Sequence, residues 1–277
     1  MLRRRSVVPH VAIYLLLLAG AVVMLLPLYW MVLSSLKNNQ HIFDFPPQLF
    51  PANPQWGNYP TAMTTAPFAT FFKNTMTIEV FVIAGTLLSC SMAAYSFARL
   101  RWPGRDIVFV VLLSVLMLPS TATLVPSFIL WRHLHAIDTF LPLIVPAFFG
   151  NSFFIFLLRQ FFRGIPRELE DAARIDGAGI VRTFATIILP LAKPALAVVT
   201  IFTFISVWDD YFGPLIYLNS QSNYTLTLGL QFFVTQYGSR WDLLMAASTV
   251  LMLPLVAAFL LFQRYFVEGF TLTGMKG

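Results

Sequence analysis

Five stretches of this chain, residues 11–33, 80–98, 107–131, 139–158 and 243–263, contain no Asp, Glu, Lys or Arg. Each approaches or exceeds the roughly 20 apolar residues that carry a helix across a bilayer. In lipid a backbone has to satisfy its own hydrogen bonds, so continuous apolar runs of this length become helices. Residues 194–208 form a shorter run, which spans if Lys193 snorkels at one end and Asp209 lies near the other. The expectation is an all-α membrane protein with six transmembrane helices. Composition agrees: 58% of residues are hydrophobic and 11% are charged, against roughly 25% charged in an ordinary soluble domain.

Basic residues give the orientation, because they accumulate on the cytoplasmic side. With both termini inside, fourteen of the 18 Lys and Arg residues are cytoplasmic, and only Lys37, Lys73, Arg132 and Arg240 lie outside. The net charge of +6 therefore reports topology, and no nucleic-acid partner is expected. The Arg3-Arg4-Arg5 start precedes an apolar run too long for a signal peptide, so it reads as the flank of the first span. Cys90 is the sole cysteine, which excludes a disulfide within the chain.

Between the fourth and fifth runs lies a polar island, Ile165-Pro-Arg-Glu-Leu-Glu-Asp-Ala-Ala-Arg-Ile-Asp-Gly-Ala-Gly179. Pro166 suits a first helical turn, which has no use for the missing N–H. Glu168, Glu170 and Asp171 favour the positive end of the helix dipole, and Glu170 and Arg174 are spaced for an i,i+4 pair. Gly177 is a natural stop. The spacing predicts an exposed helix of about ten residues and a second from about Ile180 into the next span. Ala172 and Ala173 leave one side nearly free of side-chain bulk, open to close approach by another protein's backbone.

Within this island Asp171-Ala172-Ala173 is followed by Gly177, and then by Ile187, Leu189 and Pro190. The pattern resembles the loop by which membrane subunits of bacterial ATP-binding-cassette (ABC) importers grip their ATPases: Glu-Ala-Ala, three residues, Gly, nine residues, Ile-x-Leu-Pro. Only the leading acid is shortened, from Glu to Asp. Three further stretches carry the resemblance to maltose-type carbohydrate importers. Trp208-Asp-Asp-Tyr-x-x-Pro-Leu is similar to the family's Trp-Asn-Asp/Glu block, with Asp209 where Asn is usual. Tyr224-Thr-Leu-Thr-Leu-Gly-Leu230 resembles the stretch after it, and Phe266–Gly277 resembles the family's basic tail. The basic turn Arg99–Arg105 is also similar to the family's. Together these cover about 68 to 277 and point to the MalG-type, second permease.

The resemblance implies a type I ABC importer permease fold with a cytoplasmic coupling helix, one transmembrane domain over 1–277, and a core of about 68–265. It implies an outer loop at 38–70, a coupling loop at 160–190 and a cytoplasmic tail at 265–277. The ATPase-coupling residues would be Glu170, Asp171, Ala172, Ala173, Asp176, Gly177 and Pro190, and the tail contacts Thr271, Gly274, Lys276 and Gly277. Trp208, Asp209, Asp210 and Tyr211 are candidates for the translocation pathway. Leu218, Asn219, Ser220, Gln221, Ser222, Asn223 and Tyr224 are candidates for a loop touching the binding protein. Implied partners are a MalF-type permease, two ATPase subunits, an extracytoplasmic solute-binding protein, carbohydrate and membrane lipid, in the bacterial cytoplasmic membrane. ATP and Mg would sit on the ATPases, and this chain would bind no cofactor or metal.

Several residues are read without the family. About 15 residues of helix from Pro194 carry Asp209 roughly 22 Å across, where an ionisable side chain faces the bundle interior, water or a hydrated helix end. Gly85, Ser89 and Ala93 form a small-residue stripe suited to close helix packing. The aromatics of the outer loop, among them Phe43, Trp56 and Tyr59, favour order there. No P-loop, nucleophile elbow or His-Glu-x-x-His occurs. Alternatives are an importer permease for glycerol phosphate or amino acids, and a secondary transporter, which would have no need of the 171–190 pattern.

Overall fold

A computed structural model of the chain describes residues 7–235 and 238–274, with side chains described for 13–263 apart from 120 and 235–237. In order, the helices are α1 (Val7–Ser35), α2 (Asn58–Thr65), α3 (Phe68–Arg99), α4 (Arg105–Ser114), α5 (Ser120–His133), α6 (Leu141–Ile144) and α7 (Ser152–Gly164). There follow α8 (Glu168–Ile175), α9 (Ile180–Thr183), α10 (Leu189–Leu191), α11 (Lys193–Trp208), α12 (Phe212–Tyr217), α13 (Leu226–Gly229) and α14 (Trp241–Gly274). A minimal antiparallel ribbon pairs β1 (Val234–Thr235) with β2 (Gly238–Ser239).

Among the described residues, four helical stretches are long and apolar enough to span alone, and the count reaches six when two bent helix pairs are each taken as one span. The third apolar run breaks within itself, whereas the second bend lies just before residues 194–208. In the third, the residue before Pro119 is held extended, as a following proline demands, and Leu118 has ψ 123° between α4 and α5. At the second bend, the segments 180–191 and 193–208 meet at 77°. Helix α11 alone is 16 residues, or about 24 Å, short of the ~30 Å hydrocarbon core. In the fourth run the backbone leaves helical geometry at Gly150 (φ +87°). There Asn151 caps α7 by accepting from the backbone N–H of Phe153 (3.0 Å) and Phe154 (3.3 Å).

The chain divides into two compact units, 1–67 with 230–253 and 68–229 with 254–277. In the larger unit α3 packs against α7 and α11, and against residues 145–149. Its core contains Cys90, Ala94, Tyr95, Phe97, Leu158, Phe162, Ile188 and Val199. The small-residue stripe of α3 works as expected: a Cβ on Gly85 would come within 2.7 Å of the Phe148 ring, and the Ser89 hydroxyl donates to Ala147 O at 2.8 Å.

In the smaller unit the outer loop is ordered by polar anchors. The Asn58 amide donates to Ser35 O (2.8 Å) and Lys37 O (3.0 Å). The ammonium of Lys37 donates to Gln48 O at 2.8 Å and lies 4.6 Å from the Trp30 ring, and burial lowers its pKa from the usual lysine value.

Candidate functional site

The island between the fourth and fifth runs folds as the spacing predicts. Helix α8 covers Glu168–Ile175 and carries Glu168, Glu170 and Asp171 in its first turn. It ends in a left-handed Gly177 at φ +77°. The backbone N–H of Gly177 bonds to Arg174 O (3.0 Å) and that of Ala178 to Ala173 O (2.8 Å), the Schellman pattern that returns the last carbonyls a partner. Nothing lies within 4 Å of a Cβ placed on Gly177, so within this chain the glycine answers to backbone conformation. Helix α9 starts at Ile180 and runs through a π-helical stretch, Phe184–Ile188, into α10 with Pro190.

Two details differ from the sequence expectation. Glu170 does not pair with Arg174 across one turn. Its carboxylate turns inward to the Arg99 guanidinium at 3.0 Å, both side chains being almost fully buried (6% and 4% exposed), while Arg174 pairs with exposed Asp171 at 3.4 Å. Ala172 and Ala173 also part company: Ala172 is exposed and Ala173 is buried. Neighbours in sequence project about 100° apart around a helix, and the boundary between the packed and open sides of α8 falls between these two. The outward face consists of Asp171, Ala172, Arg174 and Ile175, with exposed Asp176 and Gly177 at its end. Ile175 is 88% exposed and Val181 79%, with Leu169 and Ile180 also open. Pro190 is exposed on α10. Beside α8 an open cavity of about 650 Å³ is lined by Arg99, Arg101, Trp102, Arg167, Arg174 and Ile180 among others. Ile175 on α8 and Ile180 and Val181 on α9 thus expose apolar side chains beside charged residues.

Arg99 was visible in the sequence as part of a basic turn, with no sign of its role. Its guanidinium donates to the carbonyls of Phe162 and Ile165 at the end of α7. Phe162 O also accepts the Ile165 N–H at 3.2 Å, and the helix C-terminus these carbonyls close carries partial negative charge.

The four pathway candidates separate by environment. Trp208 is buried and packed against Phe72 and Phe204, so its ring is part of the interior. Asp209 and Tyr211 are exposed. Asp210 holds the turn into α12, its carboxylate accepting the Gly213 N–H at 3.0 Å while its carbonyl accepts the Thr227 hydroxyl at 2.7 Å.

The loop 218–224 is pinned by residues from distant segments. Asp138, itself left-handed at φ 63°, accepts the backbone N–H groups of Asn219 and Ser220 (2.9 Å each), the Ser220 hydroxyl and the Asn223 amide at 3.2 Å. These donors, the Ser220 hydroxyl foremost, hold the Asp138 carboxyl down to a pKa of about 2. From α3, the Asn74 amide donates to Ser222 O (2.7 Å) and Tyr224 O (2.9 Å), and Thr75 Oγ1 accepts the Leu226 N–H at 3.0 Å. Leu218 is buried, Tyr224 lies against Phe71, and Gln221 and Ser222 stay exposed. Sequence reasoning missed Asp138, Asn74 and Thr75; the one available signal was that Asp tolerates the left-handed region and bonds to nearby backbone. Of the tail candidates, Thr271 and Gly274 lie in α14 without described side chains, and Lys276 and Gly277 lie outside the described residues.

Residues 85–271 match the family model described as binding-protein-dependent transport system inner membrane component. The chain is 32% identical over 275 residues to the arabinooligosaccharides transport system permease protein AraQ of Bacillus subtilis, covering 97% of this chain and 96% of that one. It is 31% identical over 264 residues to the sn-glycerol-3-phosphate transport system permease protein UgpE of Yersinia enterocolitica, covering 92% and 94%. Among solved structures, a chain of a bacterial ABC transporter involved in the import of the acidic polysaccharide alginate superposes with a TM-score of 0.83, at 23% identity and over 96% of this chain and 99% of that one. That likeness shows the type I permease fold.

Proposed function

The chain belongs to the family of binding-protein-dependent transport system inner membrane components, and from that premise we propose that it is a permease subunit of an ATP-driven carbohydrate importer. It is a multi-pass protein of the bacterial cytoplasmic membrane and a non-catalytic transport subunit. In this reading a second permease completes the pathway, two ATPases bind ATP and Mg on the cytoplasmic side, and a binding protein delivers the solute from outside. The chain itself holds no cofactor.

The observation that carries the coupling role is α8. It is a short helix with a glycine-defined end, and it offers Ile175 to solvent between charged neighbours, with exposed Val181 following on α9. An ATPase surface would cover this face, with Asp171, Ala172, Asp176 and Gly177 against it. The pinned loop 218–224 offers Gln221 and Ser222 to the binding protein. Substrate class rests on the relatives: an arabinooligosaccharide permease matches nearly end to end. A second reading, a phosphorylated polyol, is favoured by the glycerol-phosphate permease that matches almost as well.

The test is uptake of labelled arabinooligosaccharide and labelled sn-glycerol-3-phosphate in cells with and without this chain. Loss of oligosaccharide uptake alone supports the carbohydrate reading. Loss of glycerol-phosphate uptake alone would replace it with the second.

A further inference from the structure

Arg99 is the last residue of α3, and its guanidinium serves other elements. One side donates to the Phe162 and Ile165 carbonyls at the end of α7. The other lies 3.0 Å from the Glu170 carboxylate, in the first turn of α8. The close atoms of that pair are not aligned as a hydrogen bond, so the contact is Coulombic and the directional bonds go to α7. One planar, permanently charged group thus joins the ends of three helices. Arg suits this because its donors are fixed in a fork, whereas a lysine ammonium is a single point.

Among the described residues this is the one ion pair that ties α8 to another element, since Arg174–Asp171 lies within α8 itself. The inward side of α8 otherwise offers buried Ala173, too small to grip, and the Glu170 carboxylate also meets the Tyr95 hydroxyl of α3. A buried ion pair is a poor source of stability, because apolar residues of similar volume serve as well or better. What it supplies is one defined geometry. Helix α3 then leads away from the joint: from Arg99 to Thr75, which holds the 218–226 segment, is about 36 Å of helix.

We propose that Arg99 and Glu170 are positioning residues that lock α8 to the end of α3, so that displacement of α8 is passed along α3 to the loop at its other end. The proposal rests on α8 being the coupling helix. It assigns Glu170 to transmission within this chain, apart from the exposed face that meets an ATPase.

The experiment uses the full transporter in lipid nanodiscs, spin-labelled at E168C on α8, outside the docking face, and Q221C on the opposite loop, with buried Cys90 left in place. The unmutated complex should change its 168–221 distance on trapping with ATP and vanadate. R99M/E170L, which removes both charges together, should still co-purify with the ATPase but lose that change. R99K should co-purify and show a reduced change. A double variant that assembles and keeps the full change overturns the proposal; should the double variant not assemble, a full change in R99K overturns it equally. An unmutated complex that shows no change, or does not co-purify with an ATPase, overturns instead the coupling role of α8 on which the proposal rests.

Discussion

The two ends of α3 hold loops in different ways. At the Arg99 end a charge pair is buried, and a single guanidinium serves both α7 and α8. At the Asn74 end the segment 218–226 is held by neutral donors and acceptors, helped by a half-exposed Asp138 that several N–H and O–H groups surround. The first joint is all-or-none, because a buried charge without its partner has no substitute for water. The second is distributed over several bonds, and water can replace those at exposed Asn219 and Ser220. A joint that passes displacement needs the first kind; a loop that meets a partner at the surface is served by the second.

The largest break in this contrast is Arg99→Met alone. It leaves the Glu170 carboxylate buried without a cation, and truncating one partner of such a pair costs about 3–5 kcal/mol. Thermal unfolding of the purified protein should show that loss, with most of it recovered in Arg99→Met/Glu170→Leu. Equal unfolding temperatures for the single variant and the parent would mean that the joint is not all-or-none.

Asp138→Ala should do less, and locally. Lost hydrogen bonds to a charged acceptor are worth about 1.5–3 kcal/mol, partly offset by water. Amide exchange at Asn219 and Ser220 should rise roughly 10- to 100-fold by the same scale, while exchange in α8 stays unchanged. Gly177→Ala comes next. A left-handed residue with a Cβ costs about 1–2 kcal/mol, so the end of α8 should fray, with faster exchange at Ala178 and weaker ATPase co-purification.

The smallest effect is that of pH. The Asp138 carboxyl titrates at about 2, below the ~3.9 of an unfolded aspartate. A depressed pKa stabilises the fold above the unfolded value and loses that contribution as pH falls through the folded one. Exchange at Asn219 and Ser220, corrected for intrinsic rates, should therefore be flat from pH 8 to about 5. A loss of protection within that range would place the carboxyl's titration elsewhere.

Much of the inner loop was legible because its signals are local. The 171–190 spacing, the acidic first turn and Gly177 all act within one or two turns of chain. The partners of Glu170 were not legible, since Arg99 lies far back in sequence and periodicity carries no information about which distant residue a buried acid meets. The same holds for Asp138 and the loop 218–224. Helical geometry separates Ala172 from Ala173, but which of the two faces outward depends on where α3 and α7 pack. The break at Pro119 was visible as a proline, yet residues 107–131 still read as one apolar run because hydropathy does not register a bend. Trp208 read as a pathway residue on the strength of its polar neighbours, and packing against Phe72 and Phe204 makes it part of the interior.

The central claim is that the exposed face of α8 is where an ATPase docks. Cysteine cross-linking in native membranes tests it most directly, with one cysteine at Ile175 on the outward face and, as the contrasting site, one at Gln221 on the opposite loop. The account predicts a cross-link to the ATPase from Ile175→Cys and none from Gln221→Cys. An Ile175→Cys chain that inserts, stays accessible to thiol reagents and forms no such cross-link would contradict it.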